Sequence, residues 1–173
     1  MSHSTTIAEG RHLRLVQRGG WEFAQRRTCS SVVAIIAVTA SNELVLTEQQ
    51  RIPVGARVID LPAGLVGDGA DAGEPAVEAG RRELMEETGY ASDDLSVVAR
   101  FPTSPGMSDE VVTLIHARAA VRTGAGGGVE GEDIIVHLVA LTQARTWLAE
   151  RSAQGLLIDP KVYAAMWLVG NRP

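Results

Sequence analysis

The sequence predicts a mixed α/β fold in one domain, and three observations carry that expectation. Ser31 to Thr39 (SVVAIIAVT) is continuously apolar and rich in β-branched residues, as expected of a strand buried on both faces. Glu74 to Thr88 has a helical pattern, with Pro75 suited to a first turn and Gly89 to the left-handed residue that ends a helix. Strand-like and helix-like runs share the rest of the chain with no repeat, no low-complexity tract and no linker.

The remaining elements follow from local pattern. Residues 11–27 read as an antiparallel hairpin: Leu13 and Leu15 alternate with polar neighbours, Gly19-Gly20 turns the chain, and Trp21 and Phe23 alternate on the return. Glu43 to Gln49 is a further strand after a turn at Ser41-Asn42. Arg57 to Pro62 leads into Ala63-Gly64, and Val66 to Gly73 is a loop holding Gly67, Gly69 and Gly73 with Asp68 and Asp71. Leu95 to Phe101 and Val111 to Ala117 read as strands separated by the turn-rich stretch Thr103 to Asp109. Arg122 to Gly131 holds five glycines and reads as a flexible loop. Ile134 to Leu141 is an apolar strand, and Gln143 to Glu150 and Pro160 to Val169 are two closing helices. Trp147 and Trp167 fall at apolar helical positions and are expected in the core. His116 and His137 lie in strands without ligand-spaced partners and are expected to be structural.

Composition narrows the function classes. A chain of 173 residues, 45% hydrophobic and 21% charged, is large enough to bury a core without disulfides or a structural metal. Its net charge of −5 argues against a broad basic face for nucleic acid, but not against a small anionic ligand. Cys29 is the only cysteine, so the chain holds no disulfide framework and no cysteine-rich zinc site. The N-terminal ten residues are polar, and no apolar run approaches the roughly 20 residues that span a bilayer. A cytoplasmic protein with no membrane partner is the expectation.

The most informative segment is Arg82-Glu83-Leu84-Met85-Glu86-Glu87-Thr88-Gly89-Tyr90. In a helix Glu83, Glu86 and Glu87 share one face, and like charges at these spacings cost roughly 0.2–0.5 kcal/mol per pair. Neither Glu83 nor Glu87 has a basic residue four positions on. A solvated acidic face is one reading. A site for a hard divalent cation is the other, since Mg²⁺ prefers carboxylate oxygens and bridges protein to phosphate.

Glu74 stands eight residues before Arg82, and Gly89-Tyr90 closes the run. Together Glu74, Arg82, Glu83, Leu84, Glu86, Glu87, Gly89 and Tyr90 resemble the Nudix box at its fixed spacing. The resemblance implies the Nudix fold, a mixed β-sheet sandwiched between α-helices, here with an N-terminal antiparallel hairpin. One position departs. The family's first glycine falls on Asp68, and the equivalent glycine is Gly64, ten residues before Glu74; this reads as a four-residue insertion in the strand-to-helix loop.

The resemblance further implies hydrolysis of a nucleoside diphosphate derivative with Mg²⁺, or Mn²⁺, as cofactor. Glu83 and Glu87 would be metal ligands, joined by the backbone carbonyl of Ala63, with Glu86 a ligand or a water-mediated partner. Arg82 would pair with Glu86 or Glu78, and Glu74 would orient it. For the group that activates water, the acids of the Gly-rich loop are candidates, because a mobile loop can close a base over bound substrate. Glu130 is the preferred base and Glu132 an additional metal ligand; a solvated acidic tip is the alternative.

Over nearly its full length the chain resembles the ADP-ribose pyrophosphatase branch of that family. The cues are Glu48-Gln49-Gln50-Arg51, the Asp60-Leu61-Pro62-Ala63-Gly64 approach, Ser104-Pro105-Gly106 with Pro105 fifteen residues beyond Tyr90, and Ile158-Asp159-Pro160-Lys161 opening the last helix. Asp60 replaces the branch's more usual glutamate. This branch implies a homodimer in which N-terminal strands pair and help form the nucleotide pocket, so Trp21 and Phe23 are candidates to stack on the base. Strand or dimer core is the alternative for both. Arg51 can bind a diphosphate bidentately or make a surface salt bridge. Other readings are a Nudix hydrolase of another sugar nucleotide such as GDP-mannose, and a non-catalytic ADP-ribose-binding module.

Overall fold

The computed structural model describes residues 3–29, 31–67, 73–128 and 132–170. In chain order the strands before the first helix are β1 (Thr5–Glu9), β2 (Leu13–Arg18), β3 (Trp21–Arg26), β4 (Val32–Thr39), β5 (Glu43–Arg51), β6 (Ala56–Asp60) and β7 (Ala63–Leu65). The helix α1 (Ala76–Thr88) precedes β8 (Tyr90–Ala91), β9 (Asp94–Pro102), β10 (Val111–Arg122) and β11 (Ile134–Ala140). The chain closes through α2 (Ala144–Ala153), β12 (Leu157–Ile158) and α3 (Pro160–Gly170).

The apolar run expected to be buried on both faces is β4, and it organises the sheet. One edge of β4 runs parallel to β10, from Val32 opposite Val112 to Thr39 opposite Ala120. Its other edge is shared. Ala37 and Val38 pair with Val45 and Leu44 of β5, whereas Val32 to Ala34 pair with β7. Beyond Val45 the two strands part, and β5 continues antiparallel to β6 on one edge and β11 on the other. The chain from Asp60 to Leu65 crosses this opening, anchored where the Ile35 N–H donates to the Pro62 carbonyl at 2.8 Å. A cleft results where β4 and β5 diverge.

Alternation along β4 divides the core into two layers. Val33, Ile35 and Ala37 pack with Ala79, Leu84 and Ile115 beneath α1. Ala34, Ile36 and Val38 pack with Leu148, Val162 and Ala165 beneath α2 and α3. The sheet is therefore mixed and covered by helices on both faces, as the sequence predicts. Gly80 lets α1 lie close, since a Cβ there would come within 2.7 Å of Ile115 Cδ1.

The expected hairpin is β2–β3, turned by Gly19 and Gly20 at positive φ, and β1 adds a third strand that the sequence reading did not contain. This small sheet is tied to the chain before β10 by the Ala24 N–H to Met107 carbonyl bond, at 2.8 Å, and by Arg26 to Glu110, at 2.7 Å. Ile7, Leu13, Leu15 and Trp21 of the sheet are exposed.

Two expectations need correction. Trp167 is 67% exposed, because α3 buries Val162 and Ala165 and turns Trp167 to the other side. The described part of the Gly-rich stretch is not free: it docks on α1, as described below. Trp147 is half-buried, with its ring edge-on to His137 at 5.0 Å, and His137 Nε2 lies 2.8 Å from Glu48 Oε2, a structural contact. Residues 68–72, which hold most of the inserted loop, lie outside the described residues. Among the described residues no helix is long and apolar enough to cross a membrane.

Candidate active site

Helix geometry sets the first half of the site. Leu84 points into the core, so Glu83, Glu86 and Glu87 fall along the rim that faces the β4–β5 cleft. Glu87 is nearly buried, and its Oε2 accepts the Ala63 N–H at 3.0 Å while Gln49 Nε2 reaches Oε1 at 3.4 Å. Glu83 fills the space left by the missing side chain of Gly64; a Cβ there would overlap the Glu83 carboxyl group. The glycine inferred as displaced from its usual spacing is thus the residue that admits Glu83 beside the crossing segment.

Arg82 holds the acidic cluster together. Its Nε and Nη2 donate to the two oxygens of Glu74 at 3.1 and 3.2 Å, and Nη2 also reaches the Leu65 carbonyl at 3.2 Å. Its Nη1 donates to Glu83 Oε1 at 2.8 Å and Glu86 Oε2 at 3.1 Å. The expected Arg82–Glu86 and Arg82–Glu74 pairings are both present, whereas Glu78 pairs with Arg81. Hydrogen bonding from Arg82 holds the Glu74 carboxyl below its ordinary range.

The C-terminal end of α1 is capped by the Gly-rich stretch. Gly89 adopts the left-handed conformation with φ 72°, as expected. The N–H groups of Gly127 and Gly128 donate to the carbonyls of Glu87 and Glu86 at 2.8 and 3.0 Å. Those carbonyls would otherwise lack partners at the helix end. Glu132 is a lining residue of the cleft.

The cleft has a volume of about 720 Å³, within the range of small-molecule sites. Burial pushes the Glu87 carboxyl up to about 8, opposed by the Ala63 N–H and reinforced by Glu83 and Glu132. Burial likewise raises Glu83, against the pull of Arg82. A buried and a partly buried carboxyl that repel one another and are incompletely compensated fit a hard divalent cation, which would favour their charged forms. Among the described residues no closed cluster of three ligating side chains is already assembled. Glu83 and Glu86 each give one oxygen to Arg82, which leaves the second oxygen of each carboxylate for a cation.

The far part of the cleft comes from distant segments. Arg51 ends β5, Asp60 ends β6, and Asp159 and Lys161 flank the start of α3. Lys161 Nζ lies 3.2 Å from Asp60 Oδ1 and 2.7 Å from Asp159 Oδ2, and Arg51 Nη2 is 3.7 Å from Asp60 Oδ2. Asp60 is almost fully buried and its carboxyl is pushed up to about 6 by burial, against the pull of Lys161.

Several expected site residues come together here: Ala63, Arg82, Glu83, Glu86, Glu87, Glu132 and Arg51 all line the cleft. Trp21, Phe23 and Pro105 are not among the described lining residues; Trp21 is 65% exposed, Phe23 lies under the Arg18 guanidinium, and Pro105 is exposed. Glu130 lies outside the described residues. The sequence reading assigned no role to Lys161, Asp159 or Glu110, because no local spacing ties them to the carboxylate helix.

The model of the NUDIX domain matches residues 30–157. The chain belongs to the Nudix family. It is 39% identical over 110 residues to a methanol dehydrogenase activator of Bacillus methanolicus, covering 64% of this chain and 57% of that protein. It is 38% identical over 85 residues to an ADP-ribose pyrophosphatase of Bacillus subtilis (strain 168), covering 49% and 44%. To an ADP-ribose pyrophosphatase of Escherichia coli O157:H7 it is 30% identical over 135 residues, covering 73% and 61%. The matches span about half the length of such relatives. A solved structure, of an ADP compounds hydrolase, superposes with a TM-score of 0.73 at 20% identity, covering 96% of this chain and 89% of that one, which establishes the shared fold.

Proposed function

We propose that this Nudix chain hydrolyses the pyrophosphate bond of ADP-ribose to AMP and ribose 5-phosphate in a divalent-metal-dependent reaction. The observation that carries the reading is the pairing of buried Glu87 with partly buried Glu83, opened by Gly64 onto a cleft that also presents Arg51 and Lys161. The names of the relatives favour ADP-ribose among nucleoside diphosphate derivatives.

Glu83, Glu87 and Glu132 would hold the metal, Mg²⁺ by our reading and Mn²⁺ as a substitute, with Glu86 and the Ala63 carbonyl completing the set. When bound, a divalent cation neutralises phosphate charge and lowers the pKa of a coordinated water. The chain's own residues do the rest. Arg82 fixes the Glu83 and Glu86 side chains without reaching substrate. Glu130 is the proposed base that accepts the proton of the attacking water. One oxygen–phosphorus bond forms at the attacked phosphate while the bridging oxygen leaves on the other. Arg51 takes up a phosphate oxygen, and Trp21, Phe23 and Pro105 would reach the nucleotide through the partner copy of a homodimer. The net charge of −5 and the lone Cys29 support a cytoplasmic enzyme for a small ligand rather than for nucleic acid.

The test is a substrate panel. The protein is incubated with ADP-ribose, GDP-mannose, UDP-glucose, NADH and diadenosine polyphosphates, with Mg²⁺, Mn²⁺ or EDTA, and products are separated chromatographically. Metal-dependent AMP and ribose 5-phosphate, formed faster than any other product pair, is the expected result. Faster cleavage of another substrate rejects the ADP-ribose assignment, and retained binding without cleavage rejects catalysis.

A further inference from the structure

The strand pair β5–β11 has two faces with different tasks. Side chains alternate along β5, and the odd positions take the cleft face: Gln49 reaches Glu87, and Arg51 lines the cleft. The even positions face away. There the buried Glu48 carboxylate accepts from Arg57 Nε of β6 and lies 2.8 Å from His137 Nε2 of β11.

Arg57 also reaches beyond Glu48. Its Nη1 donates to Asp133 Oδ2 at 2.7 Å. The ladder between β5 and β11 starts one residue later, at Ile134 opposite Gln49. Arg57 thus extends the hold on this part of the chain by one residue, on the face away from the cleft. Glu132 and Ile134 share the opposite side, since a Cβ on Gly128 would overlap the Glu132 side chain and press on Ile134 Cδ1. With Asp133 held behind, alternation turns Glu132 to the front. Glu132 lines the cleft there, and its charge acts on the carboxyls of both Glu83 and Glu87.

Stability does not account for the Arg57–Asp133 contact. The Asp133 side chain is 72% exposed, and ion pairs so open to water contribute little. Arg57 is already fixed by the buried Glu48, so Asp133 is the partner that gains order.

We propose that Arg57, acting through Asp133, is a positioning residue that sets the Glu132 carboxylate in the cleft to complete the divalent-cation site with Glu83 and Glu87. Arg57 touches neither the cation nor the substrate. It removes the freedom of a ligand before the cation arrives, as outer partners of metal ligands do. The assignment rests on the metal role of Glu132 in the proposed function. Charge alone predicts the reverse effect: removing a cation beside an acidic site should tighten Mn²⁺ binding. A weaker site in an Arg57 variant therefore reports lost position.

Mn²⁺ without substrate is the probe, titrated into the full chain and followed by electron paramagnetic resonance. The proteins compared are the parent, Arg57→Met, Asp133→Ala, Asp133→Glu, Glu132→Gln, and Arg57→Met or Asp133→Ala combined with Glu132→Gln; thermal melting accompanies each. Arg57→Met and Asp133→Ala should each weaken Mn²⁺ about tenfold, and Asp133→Glu, which keeps the acceptor, by no more than about twofold. Glu132→Gln should weaken it at least as much, and adding either second change should then cost nothing further. A folded Arg57→Met protein that binds Mn²⁺ as tightly as the parent, or more tightly, overturns the proposal. So does a loss of undiminished size with Glu132 already replaced. If Arg57→Met does not fold, Asp133→Ala at its exposed position decides instead, with and without Glu132→Gln. Parental affinity in Glu132→Gln overturns the proposal and removes Glu132 from the proposed metal set as well. A loss confined to Glu132→Gln overturns the positioning role and leaves that set standing, so the two readings fail separately.

Discussion

Gly64 leaves open the space that the carboxyl group of Glu83 occupies. A methyl group at residue 64 can be accommodated only if Glu83 swings away, because the obstructed atoms are the end of a side chain and not backbone. Gly64→Ala should therefore preserve the fold and abolish the site. Turnover should fall by about 100-fold, the range in which misplacing a reacting group is felt. Mn²⁺ affinity, followed by electron paramagnetic resonance, should fall with it while thermal melting changes by only a few degrees. An active Gly64→Ala protein would remove Glu83 from the metal site.

Arg82 is the hub of the acidic cluster, and its replacement should cost both stability and order. Arg82→Met leaves Glu74, Glu83 and Glu86 without their common donor. Hydrogen bonds to charged groups contribute about 1.5–3 kcal/mol each, partly offset here by solvent exposure of Arg82 and Glu86. A net loss of about 2–3 kcal/mol by urea unfolding is expected. Because Arg82 spends all its donors on the protein, KM should move less than kcat.

Local spacing made the carboxylate helix legible in the sequence, since helical geometry alone places Glu83, Glu86 and Glu87 on one face. The β4 core strand was legible for a similar reason, as unbroken β-branched residues leave few alternatives to burial. The ion-pair cluster of Asp60, Asp159 and Lys161 was not. Lys161 meets Asp60 only after about a hundred residues of chain have folded, through the short β6–β12 pairing that no periodicity announces. The short strands β7, β8 and β12 escaped for the same reason: two or three residues carry no period. The Gly-rich stretch misled differently. Its glycines suggested freedom, yet they are there because the backbone must approach the end of α1 closely.

That approach makes Gly126 a sensitive position. Gly126 has a φ of 68°, and a Cβ there would overlap the backbone of Thr88. Unlike at Gly64, the obstructing atoms cannot move without moving α1 itself. Gly126→Ala should destabilise the protein by roughly 2 kcal/mol or more, as a strained backbone combined with overpacking does. The amide protons of Gly127 and Gly128 should lose protection in hydrogen exchange. Glu132 follows the displaced stretch, so activity should drop in the surviving folded fraction as well.

The raised carboxyl of Glu87 couples metal binding, stability and pH. Burial lifts it from the ordinary 4.5 to about 8, so the folded, metal-free protein holds this proton more tightly than the unfolded chain does. The associated stability is fully present below pH 4.5 and is lost as pH rises through about 8. The metal-free protein should therefore lose stability across that window, by an amount on the order of 5 kcal/mol for the full shift. Mg²⁺ requires the ionised form, so its affinity should rise about tenfold per pH unit up to pH 8 and then level off. Glu87→Gln separates the two effects. It should flatten the pH dependence of melting in EDTA and raise the melting temperature at pH 8, while lowering turnover by at least a thousandfold through loss of a metal ligand. Melting curves from pH 5 to 9, with and without Mg²⁺, check every part of this. A metal-free protein whose melting temperature does not fall with pH would show that Glu87 is ionised without a cation, and would remove the link between its burial and metal binding.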